Sequence, residues 1–208
     1  RSIAKHINCQ ASELIFTSGG TEADNMAIQA AVEDLGVKRI ITTTIEHHAV
    51  GHTVEAIGHK NSIEIINLTL DKKGNINLDE LRTFLSQDIK TLVTLMHANN
   101  EISTLIPLKE VSLLCREFGA YLHSDTVQTM GHYPFDLVDL DIDFITCAAH
   151  KFHGPKGVGF AYFKKGFGIQ PMFHGGDQEK GARSSTENVH GILGMEKAFV
   201  IAMERLPF

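Results

Sequence analysis

Residues 91–125 read TLVTLMHANNEISTLIPLKEVSLLCREFGAYLHSD. An apolar run rich in β-branched residues (91–96) gives way to a polar turn. Apolar residues at helical spacing follow over 109–118, and a second apolar run (120–124) ends on Asp125. Strand, helix and strand in that order form the unit that joins parallel strands. The same alternation continues in both directions. Candidate strands lie at 14–17, 39–44, 62–68, 91–96, 120–124, 144–147 and 157–163, and candidate helices at 22–35, 49–58, 78–86 and 109–118. Most of the strands are near-continuous apolar runs, as expected where both faces of a sheet are covered. The pattern predicts one three-layer α/β/α domain over residues 1–208, built on a mainly parallel sheet of about seven strands. No repeat, low-complexity tract or linker interrupts it.

Composition narrows the functional classes. With 19 basic and 25 acidic residues the formal charge is −6, which lacks the basic stripe of a nucleic-acid or anionic-membrane binder. No apolar run is long enough to span a bilayer, and Arg1–Gln10 carries no charged-then-apolar leader. A soluble, unexported, cytoplasmic protein is expected. The three cysteines, Cys9, Cys115 and Cys147, are odd in number and far apart, which argues against a disulfide framework or zinc knuckle. Cys115 reads as helix core and Cys147 as strand core. Twelve histidines keep a metal site in view, yet no HExxH-like spacing occurs, and no metal is expected. Both ends read as cut. Residues 1–7 have helical spacing from the first position, and 194–206 is amphipathic with only Pro207 as a terminator, so a piece of a longer enzyme is expected.

In parallel sheets ligands sit beyond the carboxyl ends of the strands. After 14–17 comes Ser18-Gly19-Gly20-Thr21-Glu22, which is either a phosphate-cradling helix start or a tight turn with Thr21 as N-cap. After 39–44 comes Glu46-His47-His48. There a histidine stacks on an aromatic cofactor, binds metal with His52, or simply caps the next helix. After 91–96, Asn99 and Asn100 make a turn, or offer an amide to a ligand oxygen. Asp125, with Gln128 after it, ends a buried strand and needs a partner, either a salt bridge or a protonated ring nitrogen. After 144–147 comes Ala148-Ala149-His150-Lys151-Phe152-His153-Gly154-Pro155-Lys156-Gly157. A lysine ending an apolar strand is unusual. Held in a partly dry pocket, Lys151 loses its proton more easily and can form a Schiff base. An exposed lysine in a β-turn describes Lys156 and Lys164 better. Arg183-Ser184-Ser185-Thr186 is a phosphate binder or an ordinary polar loop. In this order and placement, the groups are those a phosphorylated pyridine aldehyde requires.

These runs, with Phe16-Thr17 before the first loop, His97-Ala98-Asn99-Asn100-Glu101-Ile102 and His174-Gly175-Gly176, resemble the cysteine desulfurases. Those enzymes belong to the class V aminotransferase group of fold type I pyridoxal 5'-phosphate (PLP) enzymes. Asn-Asn-Glu-Ile resembles the NifS/IscS branch more than the SufS branch. The resemblance covers nearly the whole chain and implies a PLP-transferase large domain without the family's N-terminal arm and C-terminal small domain. It implies that Lys151 bonds the cofactor, that His47 stacks on the ring and helps move protons, and that Asp125 pairs with the pyridinium. Gln128 and Asn100 would bond the phenolic-oxygen region, with Asn100 also near substrate. Gly20, Thr21 and His150 would hold the phosphate. Thr186 would reach the other cofactor of a homodimer.

The implied reaction takes sulfur from L-cysteine, leaving L-alanine and a protein persulfide for sulfur-acceptor or scaffold proteins of iron–sulfur assembly or thiolation. Selenocysteine lyase, cysteine-sulfinate desulfinase or aminotransferase activity would use the same visible residues. A histidine-rich metal-binding module without enzyme activity is the remaining alternative. Two departures stand out. Ala148 replaces the family's usual serine three residues before the lysine. The nucleophilic cysteine and the substrate-carboxylate arginine belong to a region beyond this sequence, so the 208 residues alone are expected to be inactive.

Overall fold

The computed structural model describes residues 1–165 and 167–206. Its seven strands are β1 Leu14–Thr17, β2 Arg39–Thr42, β3 Glu64–Asn67, β4 Thr91–Thr94, β5 Tyr121–Asp125, β6 Phe144–Ala148 and β7 Gly159–Phe163. They form one sheet in the order β1-β7-β6-β5-β4-β2-β3. The run from β3 to β6 is parallel, and β7 is antiparallel to both β6 and β1. The carboxyl ends of β1, β2, β4, β5 and β6 therefore share one edge of the sheet.

Alternation along each strand explains the three layers. Ile41, Val93, Leu122 and Ile145 enter one core, beneath helices α1 (Ser2–His6), α4 (Leu78–Leu85), α5 (Leu108–Glu117) and α7 (Val189–Glu204). Their neighbours Ile40, Leu92 and Phe144 enter a second core, beneath α2 (Gly20–Gln29) and α3 (His48–Asn61). A short helix, α6 (Leu137–Leu140), borders the first core. Both faces are covered, which is why the strands read as continuous apolar runs. Among the described residues no helix is long and apolar enough to cross a membrane.

Several boundaries differ from the sequence expectations. The helix expected at 22–35 begins two residues earlier and passes at Ala30–Asp34 into a π-helical turn. The helix expected to stop at Gly58 runs on to Asn61 and is closed by Ser62 in the left-handed conformation. Gly58 is there for clearance, because a Cβ would lie 2.6 Å from Ile65 Cδ1. The strands expected at 39–44 and 91–96 end at Thr42 and Thr94, although Leu95 N and His97 N still donate to the His123 and Asp125 carbonyls of β5. Edge strand β3 is mostly exposed, unlike the rest of the sheet. The amphipathic stretch near the end is helical from Val189, and Pro207 lies outside the described residues.

Gly159 ties the fold to the sheet edge that carries the loops. A Cβ on it would lie 2.2 Å from the Cys147 carbonyl oxygen and 2.9 Å from Gly19 Cα, both backbone atoms that cannot swing away. Gly159→Ala is expected to destabilise the protein by about 1–3 kcal/mol in denaturant unfolding. Gly51→Ala, in α3 with nothing within 4 Å of the added carbon, is expected to be neutral or to stabilise by up to about 1 kcal/mol. Equal effects of the two substitutions would contradict this packing.

Candidate active site

The loop after β1 turns through Gly19 at φ 156° and ψ −175°, a conformation essentially reserved for glycine. Gly19, not Thr21, is the N-cap of α2, so the capping alternative for Thr21 is not met. No side chain caps this helix start, which leaves first-turn N–H groups open for an anion. Gly20 is needed for approach, since a Cβ would lie 2.7 Å from Val127 Cγ2. Glu22 faces the other way. It accepts from Ser18 N at 2.8 Å and pairs with Arg183 at 2.7 Å, so Arg183 holds the loop by an ion pair.

His47 does cap α3, as one reading of the sequence held. Its Nδ1 accepts from Ala49 N at 3.1 Å. Taken as an acceptor, Nδ1 leaves the proton of the neutral ring on Nε2. Capping does not remove His47 from the site, because the ring also lines the cavity described below. His52 stacks on His48, at 4.8 Å between centroids, rather than on His47. Among the described residues, no three His, Cys, Asp or Glu side chains come together as a metal centre would require. The asparagine pair divides its roles. Asn99 is buried and builds the turn, accepting from the amides of Glu101 (2.8 Å) and Ile102 (2.9 Å), while Asn100 faces the cavity.

Asp125 ends β5 at 5% exposure. Its Oδ1 accepts from Val127 N at 2.9 Å, and among the described residues no cationic side chain forms an ion pair with it. Burial, reinforced by the negative charge of Asp24, pushes its carboxyl above the usual range. Asp24 itself lies on α2, wholly buried, and is likewise raised by burial although Thr146 Oγ1 donates to it at 2.6 Å. Glu46 accepts from Thr43 Oγ1 (2.7 Å) and Met96 N (2.8 Å), and burial pushes it up to about 8. Asp24 and Asp125 thus line one cavity, and Glu46 lines a neighbouring one together with His47 and Asn100.

Lys151 is placed differently from the sequence expectation. β6 ends at Ala148, and Lys151 sits beyond it in the 3-10 turn Ala149–Phe152, with an exposed side chain rather than in a dry pocket. His150 is exposed beside it, and its proton affinity is lowered by partial burial and by Lys151 and Lys156. Even so, one cavity of about 190 Å³ is lined by Gly20, Thr21, His47 and Asn100 from one side and by Asp125, Gln128, His150 and Lys151 from the other. Four further lining residues were not singled out in the sequence as ligand-binding: Asp24, Met96, Val127 and Ala148. Thr186 is not brought to this cavity. It lines a separate one of about 160 Å³, together with Arg183 and Ser185.

A mainly parallel α/β sheet thus brings a lysine, a buried aspartate and an open helix start to one cavity at the sheet edge, where ligands of such sheets bind. The chain belongs to the class V aminotransferase family, whose description matches residues 1–206. It is 44% identical over 207 residues to a cysteine desulfurase IscS of Clostridium botulinum, covering 99% of this chain and 52% of that protein. A NifS-like protein of known structure superposes with a TM-score of 0.92 at 40% identity, covering 98% of this chain and 56% of that one. The structure of SspA in complex with cysteine superposes with a TM-score of 0.88 at 30% identity, over 99% of this chain and 59% of that one. The chain spans about half the length of the curated relatives it matches.

The raised acids fix a pH dependence. Asp24, Glu46 and Asp125 hold their protons more tightly folded than unfolded, so unfolding releases protons above the ordinary carboxylate range near 4. Their contribution to stability is whole below that range and is lost as pH rises, for Glu46 through about 8. Buried His97 and His123, each lowered to about 4, add stability as pH rises to about 6.5, so the thermal midpoint of the cofactor-free protein is expected to fall from about pH 6.5 to about pH 8, with a shallower fall in Glu46→Gln. A midpoint that rises across this window would show that these carboxyls are not buried as described.

Proposed function

We propose that this chain is the cofactor-binding large domain, over residues 1–208, of a PLP-dependent cysteine desulfurase. The observation that carries the reading is Asp125, a buried carboxylate that has no cationic partner among the described residues and lines the same cavity as Lys151 and the open start of α2. The residues fit the cofactor's three demands: a primary amine for its aldehyde, an anion for its ring nitrogen and N–H donors for its phosphate. When bound, PLP supplies an aldehyde for attachment and a cationic ring that draws electrons from the bond being broken.

Lys151 Nζ is the attachment point. Asp125, kept from solvent, keeps the ring nitrogen protonated by opposite charge. Gly20 and Thr21 present backbone N–H groups to the phosphate, and His150 stands at the same edge. With Ala148 in place of a serine, this holds through fewer hydroxyls. His47 faces the cavity with its proton fixed on Nε2, so it stacks on the ring and passes a proton from that atom. Asn100 and Gln128 offer amides to the phenolic oxygen, and Asn100 also to the substrate.

The substrate is L-cysteine, and the products are L-alanine and a persulfide passed to sulfur-acceptor or scaffold proteins. The persulfide thiol comes from outside these residues. Cys115 and Cys147 are buried, and burial pushes the thiols of Cys9 and Cys115 up to about 12 and that of Cys147 well upward. None is a thiolate at neutral pH. Thr186, apart from the cavity of its own chain, serves the cofactor of a second copy in a cytoplasmic homodimer.

Full-length protein mixed with PLP is expected to gain a near-visible absorbance band, and borohydride is expected to fix the label on Lys151. Lys151→Ala should show no fixed label and no alanine release from L-cysteine. Label on another lysine, or no alanine from the full-length wild type, would overturn the proposal. The 208 residues alone should take up the label and release no alanine.

A further inference from the structure

Asp24 is a buried acid in the middle of α2 that takes no part in the proposed chemistry. It is 1% exposed and lines the cavity that Asp125 also lines. Alternation places Thr94, His123, Asp125 and Thr146 on the sheet face beneath α2, the face of Leu92 and Phe144. Thr146 is the register partner of Asp125 on the adjacent strand, and its hydroxyl donates to Asp24 Oδ1 at 2.6 Å. His123, wholly buried, contacts Thr94 Oγ1 through Nδ1 at 2.7 Å. Its Nε2 lies 3.4 Å from Asp24 Oδ1 and has no hydrogen-bond partner of good geometry.

This line accommodates two charge states. With Asp24 ionised, His123 donates from Nε2 and accepts at Nδ1 from the Thr94 hydroxyl. With Asp24 protonated, the carboxyl donates to Nε2, and Nδ1 donates to Thr94. In each state a small closure of the 3.4 Å gap satisfies every atom of the line. The other titratable groups facing this layer are Asp125 on β5, Glu46 and His47 ahead of α3, and Lys151 beyond β6. Strands β1 and β7 offer Ile15, Ala161 and Phe163.

We propose that Asp24 is a positioning residue that sets the charge of Asp125: the two buried carboxyls hold one proton between them, and the Thr94–His123–Asp24 line lets that proton rest on Asp24, leaving Asp125 ionised toward the cavity. Both carboxyls are buried and line one cavity, and two like charges in such a site do not ionise independently. The use of that ionised Asp125 rests on the reading above, in which it faces a pyridinium nitrogen. The coupling itself does not.

The test is a ¹³C-carboxyl NMR titration of aspartate-labelled full-length protein without cofactor, with ¹⁵N shifts of His123 followed in parallel. In Asp125→Asn the Asp24 midpoint should fall by about one pH unit or more, because the charge that holds its proton in place is gone. In Asp24→Asn the Asp125 midpoint should stay where it is, since Asp125 ionises while Asp24 keeps its proton, and His123 should keep one tautomer throughout, where the wild type changes tautomer as Asp24 titrates. Thr146→Val keeps both acids but removes the hydroxyl that favours ionised Asp24. It should move the Asp24 midpoint up and leave that of Asp125 in place, and it carries the test if Asp125→Asn does not fold. An Asp24 midpoint that stays at its wild-type value in the folded Asp125→Asn and Thr146→Val variants, or an Asp125 midpoint that falls in Asp24→Asn, overturns the proposal. Because the readout needs no cofactor, that result would leave the cofactor reading standing, and failure of PLP to attach at Lys151 would leave the coupling standing.

Discussion

At the carboxyl end of β5 a carboxylate is held out of water by the sheet, by α2 and by the loop that follows it, with a single amide as partner. Burying an anion so sparsely supported is costly unless a positive group arrives or a proton is retained. The surrounding structure answers both possibilities. The cavity in front of Asp125 is open to a ligand, and Asp24, with Thr146 and His123 beside it, is the second acid we propose to hold a proton. The loop after β1, the cap of α3 and the turn after β6 all reach the same edge because the strands before them run the same way. Antiparallel β7 contributes differently: its Gly159 lets the backbone of Gly19 lie close against the sheet.

Much of this was legible in the sequence because parallel sheets write simple rules. Continuous apolar runs marked the strands, and reading the residue after each run picked out Gly20, His47, Asn100, Asp125 and Gln128, which the fold then gathers. Asp24 escaped for a physical reason. Thr21-Glu22-Ala23-Asp24-Asn25 reads as the polar first turn of an exposed helix, and only the packing of α2 across β5 and β6 buries the aspartate. Gly58 misled for a related reason. A glycine late in a helical pattern signals an end, yet here it makes room for an isoleucine on the next strand. Lys151 was found by its place after a strand, although the chain puts it one turn further on and exposed.

His47 shows that a structural and a chemical role need not compete. The bond that caps α3 uses the nitrogen facing the helix and so fixes which nitrogen bears the proton toward the cavity. Glu22 and Arg183 make a similar pairing at the loop after β1, where an ion pair holds the open helix start in place. Membership in the class V aminotransferase family agrees with this arrangement, and the raised thiols of Cys9, Cys115 and Cys147 make none of the three a ready nucleophile.

The most direct measurement of the central claim is a crystal structure of the full-length protein grown with PLP. The account predicts continuous density from Lys151 Nζ to the cofactor, the ring nitrogen within about 3 Å of an Asp125 carboxylate oxygen, and the phosphate against the amides of Gly20 and Thr21. Cofactor bound at another edge of the sheet, with Asp125 still held by the Val127 amide alone, would contradict it.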